Sequence, residues 1–207
     1  MKGKKEMENN YLCLNGNKIE LTAEQVAKIK ESIACKTKLA SKAIGDIVTI
    51  GDIEFIVLEH SKETTALLMK DSLAEGEMFG DNTDFKTSNV KKILDKFADD
   101  LAKTVGEENI IEHTVDLTSN DGLKDYGTVR TKASLLTSDL YRRYVETIDK
   151  HKLDKWWWLA TPYSTPTHGY EKYVMCVAPS GIIDYFYYDY ISGVRPFCIL
   201  KSNIFVS

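Results

Sequence analysis

Apolar positions recur along this chain with two periods, and the switches between them outline its elements. YLCL and NKIE, either side of Asn15-Gly16, predict a small hairpin, because that dipeptide tolerates the positive φ of a tight turn. Thr22 with Gln25 matches a capping box, after which Val26, Ile29 and Ile33 share one helical face as far as about Ala34. Residues 1–40 thus read as a tail, a hairpin and a helix. Gly45-Asp46 then opens a meander in which IVTI, IEFIVLEH and TTALLM are short antiparallel strands with turn formers such as Gly51-Asp52 between them. Val90, Ile93, Leu94, Phe97, Leu101 and Val105 fall at helical spacing, with Thr87 or Ser88 as cap and Gly106 as terminator. Residues 106–130 are polar and rich in turn formers. ASLLT reads as a strand stepping into a helix from Ser138 to about Lys150, with Leu140, Tyr144 and Ile148 inward. Beyond Lys155 the pattern becomes WWWLATPYS, YVMCVA, a Pro179-Ser180-Gly181 turn, IIDYFYYDYI and FCIL, all short strands joined by turns and loops.

Composition narrows what such a chain does. With 207 residues and 43% hydrophobic content it can bury roughly 70% of its unfolded surface, so one main domain needs neither metal nor disulfide to hold it. The net charge is −4 and the only local basic run is Lys2, Lys4 and Lys5, which argues against a nucleic-acid partner. No apolar stretch reaches the roughly 20 residues of a membrane helix, and the polar start lacks a secretory core, so the expectation is cytosolic synthesis without membrane insertion. Cys13, Cys35, Cys176 and Cys198 are far apart, without CxxC or His alternation, and read as reduced core thiols. The alternative is a Cys176/Cys198 pair, brought together by neighbouring strands for redox or copper chemistry.

Candidate catalytic groups are sparse. His60, His113, His151 and His168 are isolated in sequence and read as surface or loop residues. GxSxG, GxGxxG and GxxxxGK[ST] do not occur, and the acidic pairs Asp99-Asp100 and Glu107-Glu108 read as solvated helix charges. No catalytic residue, cofactor or metal is expected. Tyrosine stands out instead: seven of the 11 (Tyr163, Tyr170, Tyr173, Tyr185, Tyr187, Tyr188 and Tyr190) fall between residues 163 and 190. On a strand, Tyr185/Tyr187/Asp189 and Asp184/Phe186/Tyr188/Tyr190 point to opposite faces, so at least one aromatic row should meet solvent. Tyrosine combines large contact area with low conformational-entropy cost, which suits a binding surface; a cross-strand aromatic ladder is the structural counterpart. Trp156, Trp157 and Trp158 are expected in the core, with Trp157 differing from its neighbours, and Arg195 before Pro196 reads as a buried structural arginine.

WWWLATP followed about thirty residues later by SGVRPFCIL, together with GDIVTIGDIEFIVLE, TSNVKKIL and SLLTSDLYRRY, resembles a bacterial and phage domain family of unknown function over about Gly45 to Leu200. That family is similar to the C-type-lectin-like fold of formylglycine-generating enzymes and of the variable proteins of diversity-generating retroelements. The resemblance implies an α+β architecture, two main helices with small antiparallel sheets, in a domain over residues 41–207, the hairpin and helix before it forming an extension. In the retroelement proteins a C-terminal block is diversified just before a Gly-x-Arg turn, and the matching positions here are Asp184 through Ile191. The chain has Ala160-Thr161-Pro162 where the family has Arg-Ser-Pro, so that arginine has no counterpart. Cys176 and Cys198 lie farther apart than the enzymes' cysteine pair, and the calcium-site motifs of animal lectins are missing.

The leading expectation is therefore a non-enzymatic, phage- or prophage-encoded protein binding a protein or cell-surface ligand. Tyr163, Tyr170, Asp184, Tyr185, Tyr187, Tyr188, Asp189 and Tyr190 form its surface, with Trp156, Trp157, Trp158 and Arg195 as structural support. A formylglycine-generating-type oxidase is the second reading. The third is a virion or assembly component that forms a homo-oligomer or docks through residues 11–34, with the virion as final location.

Overall fold

The computed structural model describes residues 11–14, 17–34, 36–73 and 76–207, which fall into two compact units, one through Thr37 with Ser207 and the other Lys38–Val206. In the first, β1 (Tyr11–Leu14) pairs antiparallel with β2 (Asn17–Glu20), Tyr11 opposite Glu20. Helix α1 (Ala23–Ala34) follows. Its capping box is reciprocal: the Thr22 N–H donates to Gln25 Oε1 at 2.8 Å and the Gln25 N–H to Thr22 Oγ1 at 3.2 Å. Lys2, Lys4, Lys5, Asn15-Gly16 and Cys35, with the side chains of Cys13, Ile29 and Ile33, lie outside the described residues.

The second unit, Lys38–Val206, is mixed α and β with small antiparallel sheets. Along the chain come β3 (Ile47–Ile50), β4 (Ile53–His60), β5 (Thr64–Met69), β6 (Glu77–Met78) and α2 (Asn89–Val105). Then follow β7 (Ile110–Ile111), β8 (His113–Asp116), β9 (Thr128–Thr131), β10 (Ala133–Ser134) and α3 (Ser138–Ile148). Last come β11 (Trp157–Pro162), β12 (Tyr173–Val177), β13 (Ile183–Tyr187), β14 (Ile191–Ser192), β15 (Phe197–Lys201) and β16 (Phe205–Val206). The main sheet runs β10-β15-β5-β4-β3, with β7 also on β15; a second sheet runs β11-β12-β13.

Period-2 alternation sorts the strand residues into two cores. Phe55, Val57, Leu67, Trp158, Ala160, Val174, Cys176, Cys198 and Leu200 pack on one side with the apolar stripe of α2, including Leu94 and Leu101. Ile56, Leu58, Leu68, Trp157, Leu159, Met175, Val177 and Phe197 pack on the other with Tyr141, Tyr144 and Ile148 of α3. The two helices thus cover opposite faces, and both faces of the central strands are dry. The caps are local in origin: Ser88 Oγ accepts from the Lys91 N–H at 3.0 Å, Gly106 closes α2 at φ 88°, and Thr137 Oγ1 accepts from the Leu140 N–H.

Two elements differ from the sequence reading. The stretch expected to be polar loop contains β7 and the β8–β9 pair, with Val115 opposite Val129; the four-residue strands of that pair bury only Val115 and Thr131, too little alternation to register as a strand. The strand expected through Tyr190 stops at Tyr187, and residues 188–190 turn, the Tyr190 N–H donating to the Tyr187 carbonyl at 3.0 Å.

Candidate functional site

The aromatic C-terminal segment is held by a dense support. Trp157 packs with α3, edge-on to Tyr141 at 5.7 Å, while Trp158 packs with the α2 side, donates Nε1–H to the Glu77 carbonyl at 2.8 Å and lies edge-on to Phe79. Trp156 shares the Trp158 side but is only half-buried, so Trp157 faces a different core from both neighbours. Arg195 is fully buried. Its Nε and Nη2 donate to the carbonyls of Met69 and Lys70 at 2.8 Å, Nη2 also reaches the His151 carbonyl at 3.1 Å, and the guanidinium lies 5.2 Å from the Trp157 ring. Burial draws its pKa down to about 10, so it stays charged at neutral pH, and it pins the turn before β15 to the end of β5.

On that support β13 forms an edge of the second sheet, paired to β12 alone with Tyr173 opposite Tyr187 and Met175 opposite Tyr185. A register shift between Trp158 and Pro162 brings the following Tyr163 beside Tyr173, where its N–H donates to the Tyr173 carbonyl at 2.9 Å. The result is a four-ring ladder: Tyr163 to Tyr185 at 4.5 Å, Tyr185 to Tyr173 at 5.3 Å and Tyr173 to Tyr187 at 4.4 Å between centroids. The Tyr173 hydroxyl donates to that of Tyr187 at 2.8 Å, and this bond holds the Tyr173 phenol up at about 12. Tyr185 and Tyr187 are each 43% exposed, so the ladder is at once a cross-strand stack and a solvent-facing surface.

The eight residues expected to form the ligand surface do not make one row. Tyr163, Tyr185 and Tyr187 share the ladder, completed by Tyr173, which was not among the eight. Asp184 lies on the opposite face of β13, exposed beside buried Cys176. Tyr190, 55% exposed, stacks on Phe186 at 5.2 Å, and Phe186 in turn covers Trp156 at 4.6 Å. Because the chain turns after Tyr187, Tyr188 rolls inward against the α2-side core, its carbonyl accepting from the Phe79 N–H, while Asp189 stays in solvent.

Tyr170 belongs to a recess of about 480 Å³ lined by Asp121, Tyr163, Ser164, His168 and Tyr170. Asp121 organises it: Ser119 donates to Oδ1, and Ser164 Oγ and His168 Nδ1 reach Oδ2 at 2.6 and 2.9 Å. Burial pushes its carboxyl up, but these donors outweigh that and hold it below the usual carboxylate range. Asp125 accepts from the hydroxyls of Thr165 and Thr167 at 2.6 Å, a second tie between the 121–125 and 164–168 loops. His168 is therefore not isolated in space. The separations of 43 and 47 residues between Asp121 and its partners Ser164 and His168 leave no motif for a sequence reading to find.

The other histidines and the thiols serve structure. His60 bridges Thr65 and the Lys42 carbonyl, His151 contacts the Gly45 carbonyl, and His113 lies edge-on to Phe197 at 5.2 Å with Nε2 2.8 Å from Ser134 Oγ. Cys176 and Cys198 are free and buried, on β12 and β15 of different sheets; the pairing through neighbouring strands does not form, and burial pushes both thiols up to about 12. Among the described residues no group of three His, Cys, Asp or Glu is placed to hold a metal ion, and no helix is long and apolar enough to cross a membrane. No protein-family model, curated protein or solved structure matches this chain.

Proposed function

We propose that this chain is a non-enzymatic ligand-binding protein that presents a tyrosine-rich surface on a C-type-lectin-like scaffold, in the manner of the variable proteins of diversity-generating retroelements. Its ligand is a protein or a cell-surface component. The observation that carries the reading is the exposure of Tyr185, Tyr187 and Tyr190 on an edge strand and turn whose backing is the Trp157, Trp158 and Arg195 network. Phenol rings already stacked on one another lose little rotamer freedom on contact, and their hydroxyls remain available for hydrogen bonds. The buried thiols also favour binding over oxidase chemistry, since thiols held near 12 supply almost no thiolate at neutral pH.

The test randomises Asp184, Tyr185, Tyr187, Asp189, Tyr190 and Ile191 together in the full chain displayed on yeast. The expected result is that most clones remain protease-resistant and that sorting against a panel of unrelated purified proteins yields specific binders. Loss of folding in most clones would overturn the proposal by showing that these side chains are structural. A reverse transcriptase gene beside this one, with a near-identical template copy of the segment encoding residues 160–195, is the expected genomic correlate of diversification.

A further inference from the structure

A second cleft, of about 250 Å³, opens at the N-terminus of α3 and is lined by residues including Asp116, Asn120, Ser138, Asp139, Arg142 and Thr161. It does not depend on the tyrosine surface. Most first-turn donors of the helix are spent internally: the Ser138 N–H on Thr161 Oγ1 at 2.9 Å, the Leu140 N–H on Thr137 Oγ1 at 3.2 Å and the Tyr141 N–H on the Thr137 carbonyl at 2.9 Å. The Asp139 N–H, in the same first turn, has no carbonyl four residues back within the helix to bond. Next to it Ser138, only 2% exposed, has a buried Oγ with no hydrogen-bond partner. A buried hydroxyl without a partner bears its whole desolvation penalty, which a ligand oxygen reaching it would relieve.

Arg142 follows Ser138 by four residues and so lies over the same face of the helix. Its guanidinium is engaged by Asp139 Oδ1 at 2.8 Å and, more distantly, by Asn120 Oδ1 at 3.4 Å. The Asp139 side chain is 92% exposed, so it can rotate away and leave the guanidinium to another carboxylate. The hydroxyl, the Asp139 N–H, the guanidinium and the helix dipole all favour an anionic oxygen at this point. Asp116, in the same lining, keeps its charge, because the Thr118 hydroxyl and N–H both donate to Oδ1, at 2.6 and 2.9 Å, and lower its pKa. A simple anion would meet that carboxylate as a like charge and a simple cation would meet Arg142. A compact molecule carrying both charges matches both groups of the lining.

We propose that this cleft binds a small zwitterion, a free α-amino acid, with its carboxylate on Ser138 Oγ, the Asp139 N–H and Arg142 and its ammonium toward Asp116. The test uses the isotopically labelled full chain and follows backbone amide shifts while glycine, L-alanine or L-serine is added, with acetate, methylamine and inorganic phosphate as single-charge controls. Saturable shifts centred on Ser138 and Asp139 are expected with the amino acids, at least about tenfold weaker binding of acetate and methylamine, and a roughly tenfold or greater loss of amino-acid affinity in Arg142→Gln and Asp116→Asn. Ser138→Ala provides the control on folding. Its Oγ has no partner to lose, so the melting temperature should hold while affinity falls. Acetate or phosphate binding as tightly as L-serine would replace the zwitterion site by a general anion site and overturn the proposal. So would the lack of any saturable shift, or unchanged amino-acid affinity in Ser138→Ala and Arg142→Gln.

Discussion

Replacing Arg195 by Met tests the support beneath the tyrosine surface. The substitution keeps an unbranched chain in a fully buried position but deletes donors to the carbonyls of Met69, Lys70 and His151, and the contact with Trp157. Three hydrogen bonds from a charged donor are together worth about 4–9 kcal/mol. Set against this are the removal of Nη1, buried without a partner, and of a buried charge whose fall from 12.5 to about 10 corresponds to roughly 3 kcal/mol. The net expectation is a loss of about 3 kcal/mol, which for a chain of 207 residues lowers the melting temperature by roughly 6–12 °C. In urea, followed by tryptophan fluorescence, the midpoint should fall by about 1 M with an unchanged slope near 2–3 kcal/mol/M. Arg195→Lys should lose less, since one ammonium can still satisfy part of the set, but it cannot reproduce the planar fork. A loss below about 1 kcal/mol in Arg195→Met would refute the reasoning, because the three carbonyls would then have other partners and the guanidinium would not be what holds this turn.

Two further outcomes follow from the same structure. His113 is held near a pKa of 4 by burial against an ordinary value of 6.5, so as pH falls the unfolded chain takes up its proton first. This part of the stability is intact above about 6.5 and is lost progressively down to about 4, up to roughly 3 kcal/mol, and His113→Gln should flatten the melting temperature across that window. Gly193→Ala would place a Cβ 3.1 Å from the Trp156 carbonyl oxygen and 3.3 Å from Trp157 Cβ, where the Gly193 N–H already bonds Trp156 at 2.8 Å. A loss of about 1–3 kcal/mol is expected in thermal unfolding, and an unchanged melting temperature would show that the tryptophan strand can slide.

Much of the scaffold is legible in the amino-acid order because its causes are local. The Ser88 and Thr137 caps, the Gly106 terminator, the apolar stripe of α2 and the Pro179-Ser180-Gly181 turn each depend on neighbours a few residues away. The candidate surface is legible in kind but not in arrangement. Tyrosine density marks the region, yet alternation states only which side chains share a face, not which face meets water. The turn after Tyr187, which sends Tyr188 inward and folds Tyr190 over Phe186, rests on bonds to Lys172 and Phe79 that lie far along the chain.

What the sequence by itself determined is therefore the helices with their caps, the run of short strands, and a C-terminal third heavy in phenol rings. Only the tertiary structure decided that Tyr173 completes a ladder with Tyr163, Tyr185 and Tyr187, that Asp121 gathers Ser164 and His168, and that Ser138 is buried without a partner. The reason is separation along the chain. Caps and amphipathic stripes are energies between neighbours, whereas hydrogen bonds spanning forty residues or more exist only once the two sheets and two helices have fixed where each loop ends.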